Sequence, residues 1–147
     1  FHITQPKEDG LGPRRAMELA LSTSGLKPED VDYINAHGTS TYYNDLVETL
    51  AIRQAFGAHA SRLAVSSTKS MLGHLLGGSG AIEAAVTCRS IADEVVHPTL
   101  NLETPGEGCD LDYVPGASRA LKVRAALSNS LGFGGHNVCL AFGRHVA

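Results

Sequence analysis

Three short apolar runs, at residues 31–36, 63–66 and 125–128, each break directly into a dense polar cluster. Val31-Asp32-Tyr33-Ile34-Asn35-Ala36 roughly alternates at period two, the pattern of a half-buried strand. It gives way to His37-Gly38-Thr39-Ser40-Thr41. Leu63-Ala64-Val65-Ser66 runs into Ser67-Thr68-Lys69-Ser70-Met71-Leu72-Gly73-His74, and Ala125-Ala126-Leu127-Ser128 into Asn129-Ser130-Leu131-Gly132-Phe133-Gly134-Gly135-His136-Asn137. In open α/β sheets, sites gather outside the carboxyl ends of the strands. Strands lying side by side would therefore bring two imidazoles, an ammonium, several hydroxyls and flexible backbone to one edge.

The intervening segments supply the helices. Residues 13–24 carry Met17, Leu19, Ala20 and Leu21 among Arg14, Arg15 and Glu18, with Pro13 near the start and Gly25 as C-cap. Residues 27–30 form a turn. Asn44 or Asp45 caps a helix running to Phe56 and ended by Gly57. Gly77-Gly78-Ser79-Gly80 opens a long helix over residues 81–93. That helix is apolar nearly all round, with Ala81, Ile82, Ala84, Ala85, Val86, Cys88, Ile91 and Ala92, which predicts cover on both sides. Residues 97–112 hold two prolines and two glycines and read as a loop, of the length that serves a site or a partner. Tyr113-Val114 pairs briefly, and residues 138–142 form a last strand after the glycine-rich turn. The order is α/β with a terminal antiparallel hairpin, in one domain over residues 1–147.

Composition narrows the classes. Apolar residues make up 43% and charged residues 18%, too much core and too little charge for disorder. The net charge is −3 and the Lys and Arg residues are scattered, so neither nucleic acid nor an anionic membrane is expected as partner. No apolar run approaches a bilayer-spanning length. Phe1-His2-Ile3-Thr4-Gln5-Pro6 is not a signal peptide, and the lack of an initiating Met reads as a cut from something longer. Cys88, Cys109 and Cys139 are odd in number, widely spaced and outside any CxxC, which argues against disulfides or structural zinc and for the cytoplasm.

Taken singly, each cluster has an ordinary reading: a loop histidine, a solvated lysine, turn threonines, a tight glycine turn. General templates fail. There is no HExxH and no Walker lysine, and residues 77–81 miss GxSxG at the last position. Ser66-Ser67-Thr68-Lys69 matches SxxK, the serine acyl-enzyme signature, without its companion KTG.

Read together, Asn35-Ala36-His37-Gly38-Thr39-Ser40-Thr41, the 66–74 cluster and Asn129-Ser130-Leu131-Gly132-Phe133-Gly134-Gly135 resemble the signature series of the β-ketoacyl synthases, in order and spacing. Asn101-Leu102 and Glu107-Gly108-Cys109-Asp110-Leu111-Asp112 resemble the fatty-acid-type members. The resemblance runs from Phe1 to Arg144. It implies the C-terminal half of a thiolase-like, five-layered, duplicated fold: a mixed five-stranded sheet with helices on its faces. It also implies a decarboxylative condensation in which malonyl-acyl carrier protein supplies a carbanion that attacks an acyl thioester on a cysteine.

On that resemblance His37 and His74 are the active-site histidines and Lys69 the nearby lysine. Thr39 and Thr41 hold the pantetheine arm, and Phe133 is the gate. An enolate wants oriented donors, which imidazole N–H groups supply. Glu83 pairs with Lys69, and Glu48 is a weaker candidate for the same support. No cofactor is required, the acyl-phosphopantetheine being carried by the partner, but the resemblance adds a monovalent cation at Asn35, Ala36, Glu83, Ser128 and Asn129. The implied partners are acyl carrier protein, an N-terminal half bearing the nucleophilic cysteine, and a second copy in a homodimer. None of the three cysteines present lies in a small-residue elbow; all read as structural. Tyr42 and Leu131 depart from the common Pro and Phe. The alternatives are a polyketide-type ketosynthase, a non-catalytic carrier-binding or scaffold subunit, and an SxxK hydrolase.

Overall fold

The computed structural model describes residues 2–145; Phe1 of the N-terminal run lies outside them. Helix α1 (Leu11–Ser24) starts two residues before the expected Pro13, after Gly10 with φ +67°. It buries Pro13, Met17, Ala20 and Leu21, a single stripe at helical spacing. Gly25 ends it at φ +72°, its N–H donating to the Leu21 and Ser22 carbonyls. A 3₁₀ turn (Pro28–Asp30) leads to β1 (Val31–Asn35). Helix α2 (Tyr42–Phe56) begins at Thr41 rather than Asn44 or Asp45, because Thr41 is already extended and its carbonyl accepts from Asp45 N at 3.0 Å. Strand β2 (Ala64–Ser66) is followed by a four-residue helix α3 (Lys69–Leu72) that the sequence pattern does not announce. Helix α4 (Ser79–Asp93) and the strands β3 (Val95–Val96), β4 (Arg119–Ala120), β5 (Ala125–Gly132) and β6 (His136–Gly143) complete the chain.

The main sheet has the order β2-β1-β5-β6, with β1 parallel to β2 and β5, and β5 antiparallel to β6. The class is α/β and the sheet is mixed, but it has four strands among the described residues, not the five expected. The fifth is reduced to one parallel bridge, Ala64↔Asp112, where Val65 N donates to Asp112 O at 2.8 Å. The expected pairing at Tyr113-Val114 survives as a second bridge, Thr99↔Pro115. Strands β3 and β4 pair separately as a two-stranded sheet that short-range pattern does not reveal.

Register places the site. Asn35, the last residue of β1, lies opposite Ser66 of β2 and Ser128 of β5. The first two polar clusters therefore leave the sheet at one level, and the third begins there but runs on within β5 to Gly132, paired with β6, where the sequence pattern had ended the strand at Ser128. Alternation divides the core between two faces: Ile34, Val65 and Leu127 pack with α1 and α2 residues such as Met17 and Ile52. Tyr33, Ala64 and Ala126 pack with Ile91, Val96 and Val123.

Helix α4 is inverted relative to a normal surface helix. It buries Ser79, Glu83, Thr87, Ser90 and Ile91 against the sheet. Its outward face carries exposed Ala81, Ile82, Ala85, Cys88 and Ala92, preceded by exposed Leu72, Leu75 and Leu76. An apolar face of this extent marks an interface or an aggregation hazard. The isolated chain should therefore self-associate on light scattering and become monodisperse when co-expressed with the N-terminal half that the resemblance implies. Ile82→Lys should improve the dispersity of the chain alone and weaken that assembly by at least about 1.5 kcal/mol, the worth of one buried Ile side chain. A monodisperse, cooperatively melting chain indifferent to the partner would show that α4 needs no cover.

Candidate active site

His37 sits directly beyond the end of β1, in a backbone turn held by a carboxylate. Glu48, from the buried side of α2, accepts the His37 N–H at Oε1 and the Gly38 N–H at Oε2, both at 2.9 Å. Asn129 Nδ2 donates to the same Oε1 at 3.2 Å, tying the β5 cluster to the β1 cluster. Burial raises the Glu48 pKa, opposed by the backbone donors of Gly38 and His37 and the amides of Asn129 and Asn44. Gly38 has φ +42°, and a Cβ there would stand 2.5 Å from Ser67 Cβ. Only glycine allows this approach, which Ser67 Oγ closes by donating to the Gly38 carbonyl at 2.8 Å.

Lys69, in the first turn of α3, reaches down to Glu83 of α4, Nζ to Oε1 at 2.5 Å. Both side chains are almost wholly buried, 5% and 3% exposed. The rings of His37 and His74 meet edge to face, centroids 5.6 Å apart at 84°. His74 Nδ1 is 3.1 Å from the Leu76 N–H, which can only donate. Nδ1 is therefore the bare nitrogen and Nε2 carries the proton. Ser79 Oγ also reaches that Nδ1 at 3.1 Å and accepts the Leu75 N–H at 2.9 Å. The imidazole of His74 thus offers an Nε2–H donor. The His37 pKa is depressed to about 3, first by burial, then by the Lys69 ammonium and by His74.

Thr39 and Thr41 share a hydrogen bond of 3.0 Å between their hydroxyls at the start of α2. Beside them a cavity of about 340 Å³ is lined by Gly38, Thr39, Glu48, Lys69, Leu100 and Tyr113. The long loop roofs it, fastened by Leu100 N donating to Ser70 Oγ at 3.0 Å.

Two histidines, a buried ammonium–carboxylate pair and paired threonines thus stand at one sheet edge. Residues 1–103 match the family model "Beta-ketoacyl synthase, C-terminal domain". The chain belongs to this family. It is 66% identical over 145 residues to the 3-oxoacyl-[acyl-carrier-protein] synthase 2 of Synechocystis sp., covering 99% of this chain and 35% of that protein. It is 52% identical over 147 residues to the synthase 2 of Staphylococcus aureus, covering 36% of that protein. The chain thus spans about a third of the length of the curated relatives it matches. Among solved structures it superposes with TM-score 0.91 on a β-ketoacyl synthase from Burkholderia phymatum, at 40% identity over 99% of this chain and 35% of that one. It also superposes, with TM-score 0.93 and 38% identity over 99% of this chain and 36% of that one, on a ketosynthase solved as "AntDE:AntF (apo): type II PKS acyl-carrier protein in complex with its ketosynthase bound to the hexaketide".

Within this ketosynthase domain the anticipated residues divide. His37, His74, Lys69 and Glu83 come together. Glu48 does not support Lys69; its carboxylate is taken up by backbone N–H groups and two amides. Phe133 is 72% exposed, in the turn Phe133–Gly135, where Gly134 and Gly135 adopt φ +75° and +83°. The residues anticipated around a cation are buried, and Glu83 Oε2 and Asn129 Oδ1 are buried without a hydrogen-bond partner. Buried carboxylate and amide oxygens of this kind are donors of the type a hard cation takes. Among the described residues no three His, Cys, Asp or Glu side chains are placed to hold a metal ion together. The thiol of Cys139 is pushed up to about 12, by burial and then by Glu48, so it is protonated at neutral pH. Ser66 Oγ bonds Tyr33 Oη and His97 Nδ1 while Lys69 is committed to Glu83, which leaves the SxxK pattern without a serine–lysine pair. Sequence reasoning missed His97, which no motif flags; only the neighbouring proline and the loop's length mark the place.

The depressed His37 pKa fixes a pH dependence. The unfolded chain takes up this proton near pH 6.5 and the folded chain only near 3. Stability from neutral His37 is therefore whole above pH 6.5 and is lost as pH falls from there toward 3. The urea midpoint, on the chain or on its assembly with the N-terminal half, should fall between pH 7.5 and 5, and His37→Asn should flatten that slope. An unchanged slope in the variant would contradict the burial of a neutral imidazole.

Proposed function

We propose that residues 1–147 form one domain of a cytoplasmic, homodimeric fatty-acid-type 3-oxoacyl-[acyl carrier protein] synthase, and supply its two-histidine, one-lysine half-site. The observation that carries this reading is the edge-to-face meeting of His37 and His74, with the Lys69 ammonium, itself paired to Glu83, near enough to act on His37. The 52–66% identity to named synthases 2, against 38% to the polyketide ketosynthase, favours the fatty-acid type.

In this reading malonyl-acyl carrier protein threads its pantetheine arm past Thr39 and Thr41, whose paired hydroxyls hydrogen-bond the arm. The C–C bond to the carboxylate breaks, carbon dioxide leaves, and the electron pair moves into the thioester carbonyl as an enolate. The Nε2–H of His74 donates to that developing oxyanion, with neutral His37 beside it as second imidazole. The enolate carbon then attacks the acyl thioester held by the cysteine of the N-terminal half, and the tetrahedral adduct collapses with release of the cysteine thiolate. Burial, and after it the Lys69 ammonium and His74, keep His37 unprotonated. Phe133, flanked by glycines, swings to admit the arm. Backbone oxygens of Asn35 and Ala36, with Glu83, Ser128 and Asn129, would hold a monovalent cation, which would supply positive charge to the otherwise bare oxygens of Glu83 and Asn129.

The test is reconstitution. This chain, co-expressed with the N-terminal segment of the Synechocystis synthase, should convert malonyl- and acyl-carrier protein to 3-oxoacyl-carrier protein, and neither piece alone should. His74→Ala should lower kcat by about 10²–10³, the cost of one oxyanion donor. A monodisperse assembly without product would overturn the reading.

A further inference from the structure

One side chain outside the site just described gathers polar groups from three segments. His97 follows β3 at the head of the long loop and is half-buried. Its Nδ1 lies 3.0 Å from the Pro98 carbonyl, which can only accept, so Nδ1 carries the proton and Nε2 is the bare acceptor. Two hydroxyls converge on that Nε2, Tyr33 Oη from β1 at 3.0 Å and Thr68 Oγ1 from the residue preceding α3 at 3.1 Å. Ser66 Oγ, at the end of β2, stands 3.3 Å from Nδ1 and 3.0 Å from Tyr33 Oη. The imidazole also stands edge-on to the Tyr33 ring, centroids 6.1 Å apart.

The bonds continue inward. Asn35 Nδ2 donates to Thr68 Oγ1 at 2.8 Å and to the Glu83 carbonyl at 3.2 Å. Thr87 Oγ1 donates to the same carbonyl at 2.7 Å. An uninterrupted chain thus runs from His97 through Thr68 and Asn35 to the residue that binds Lys69, and Thr68 is itself the neighbour of Lys69. The single Thr68 hydroxyl proton is shared between His97 Nε2 and Asn35 Oδ1, the latter at 3.1 Å, so loss of the imidazole hands it wholly to Asn35 and the buried network rearranges around Thr68. Motion at Thr68 is motion of the α3 N-terminus.

We propose that His97 is a positioning residue: acting through Thr68 and Asn35, it holds α3 so that Lys69 meets Glu83. This rests on the function proposed above only for its kinetic consequence; the geometric consequence is independent. The assembly of this chain with the Synechocystis N-terminal segment allows both to be read. In His97→Phe, kcat for malonyl-carrier decarboxylation, counted per site that accepts an acyl group, should fall about ten- to a hundredfold, as for a misplacement remote from the chemistry. KM for the carrier should stay within twofold, and His97→Gln, which keeps an acceptor for Thr68 and Tyr33, should recover most of the rate. Independently of activity, hydrogen exchange at the α3 amides of Met71, Leu72 and Gly73, which donate to the Thr68 and Lys69 carbonyls, should quicken in His97→Phe and stay at the unsubstituted rate in His97→Gln. Thr68→Val breaks the same chain one step inward and should reproduce both changes with His97 intact. An inactive unsubstituted assembly would sink the functional reading and leave the exchange rates to decide on His97. Exchange at these amides unchanged in both His97→Phe and Thr68→Val would overturn the proposal.

Discussion

The buried pair of Lys69 and Glu83 sets the terms for the rest of the molecule. Two charges taken this far from water carry a desolvation penalty that their attraction repays only with close geometry. The 2.5 Å contact supplies that geometry, but it also dictates which way α4 must face. Glu83 points at the sheet, and so do Thr87 and Ser90, one and two turns along on the same stripe. The polar stripe of the helix is thereby committed inward, and Ala81, Ile82, Ala85, Cys88 and Ala92 are left outside. The exposed apolar residues thus accompany an ion pair turned inward, with the Arg89–Asp93 pair as the charged part of the outer face.

A second carboxylate is buried without any cation beside it. Glu48 is held by two backbone N–H groups and two amides, so its oxygens are satisfied by oriented dipoles. Glu83 instead leaves Oε2 bare. The two glutamates therefore do different work at the same sheet edge: Glu48 fixes the backbone turn that carries His37, while Glu83 fixes a charge.

Much of this was legible in the sequence where the signal is local. Period-two alternation located β1, and Gly25 and Gly57 marked where α1 and α2 stop. The strand-end clusters begin at one level because register brings Asn35 opposite Ser66 and Ser128, and His37 and His74 meet edge to face beyond it. What escaped depends on partners distant in the chain. Strands β3 and β4 are two residues each, too short for periodicity, and exist through their pairing. The fifth strand was expected around Tyr113-Val114 and shrank to single bridges because the loop there runs over the cavity. Glu48 and Lys69 looked like potential partners by composition, yet the nearer donors to Glu48 are main-chain N–H groups, which no side-chain pattern displays. The role of His97 depends on Tyr33 and Thr68, 64 and 29 positions away.

The exposed parts of the site have a common physical meaning. His74 offers its Nε2–H from an exposed ring, and Phe133 stands in solvent. A hydrogen-bond donor facing bulk water stabilises a developing oxyanion weakly, because water competes for it and screens it. The same donor in a dry, fixed site is worth far more. Lys69 and Glu83 already lie in such a place and need no further cover. The imidazole edge does. Covering the apolar face of α4 and its flanking Leu72, Leu75 and Leu76 would exclude water from the segment that carries His74, since the three leucines border it in sequence. The hydrophobic surface that would drive assembly and the donor that gains strength from desolvation thus belong to one stretch of chain, so the contact that completes the fold would also switch on the electrostatics of the site.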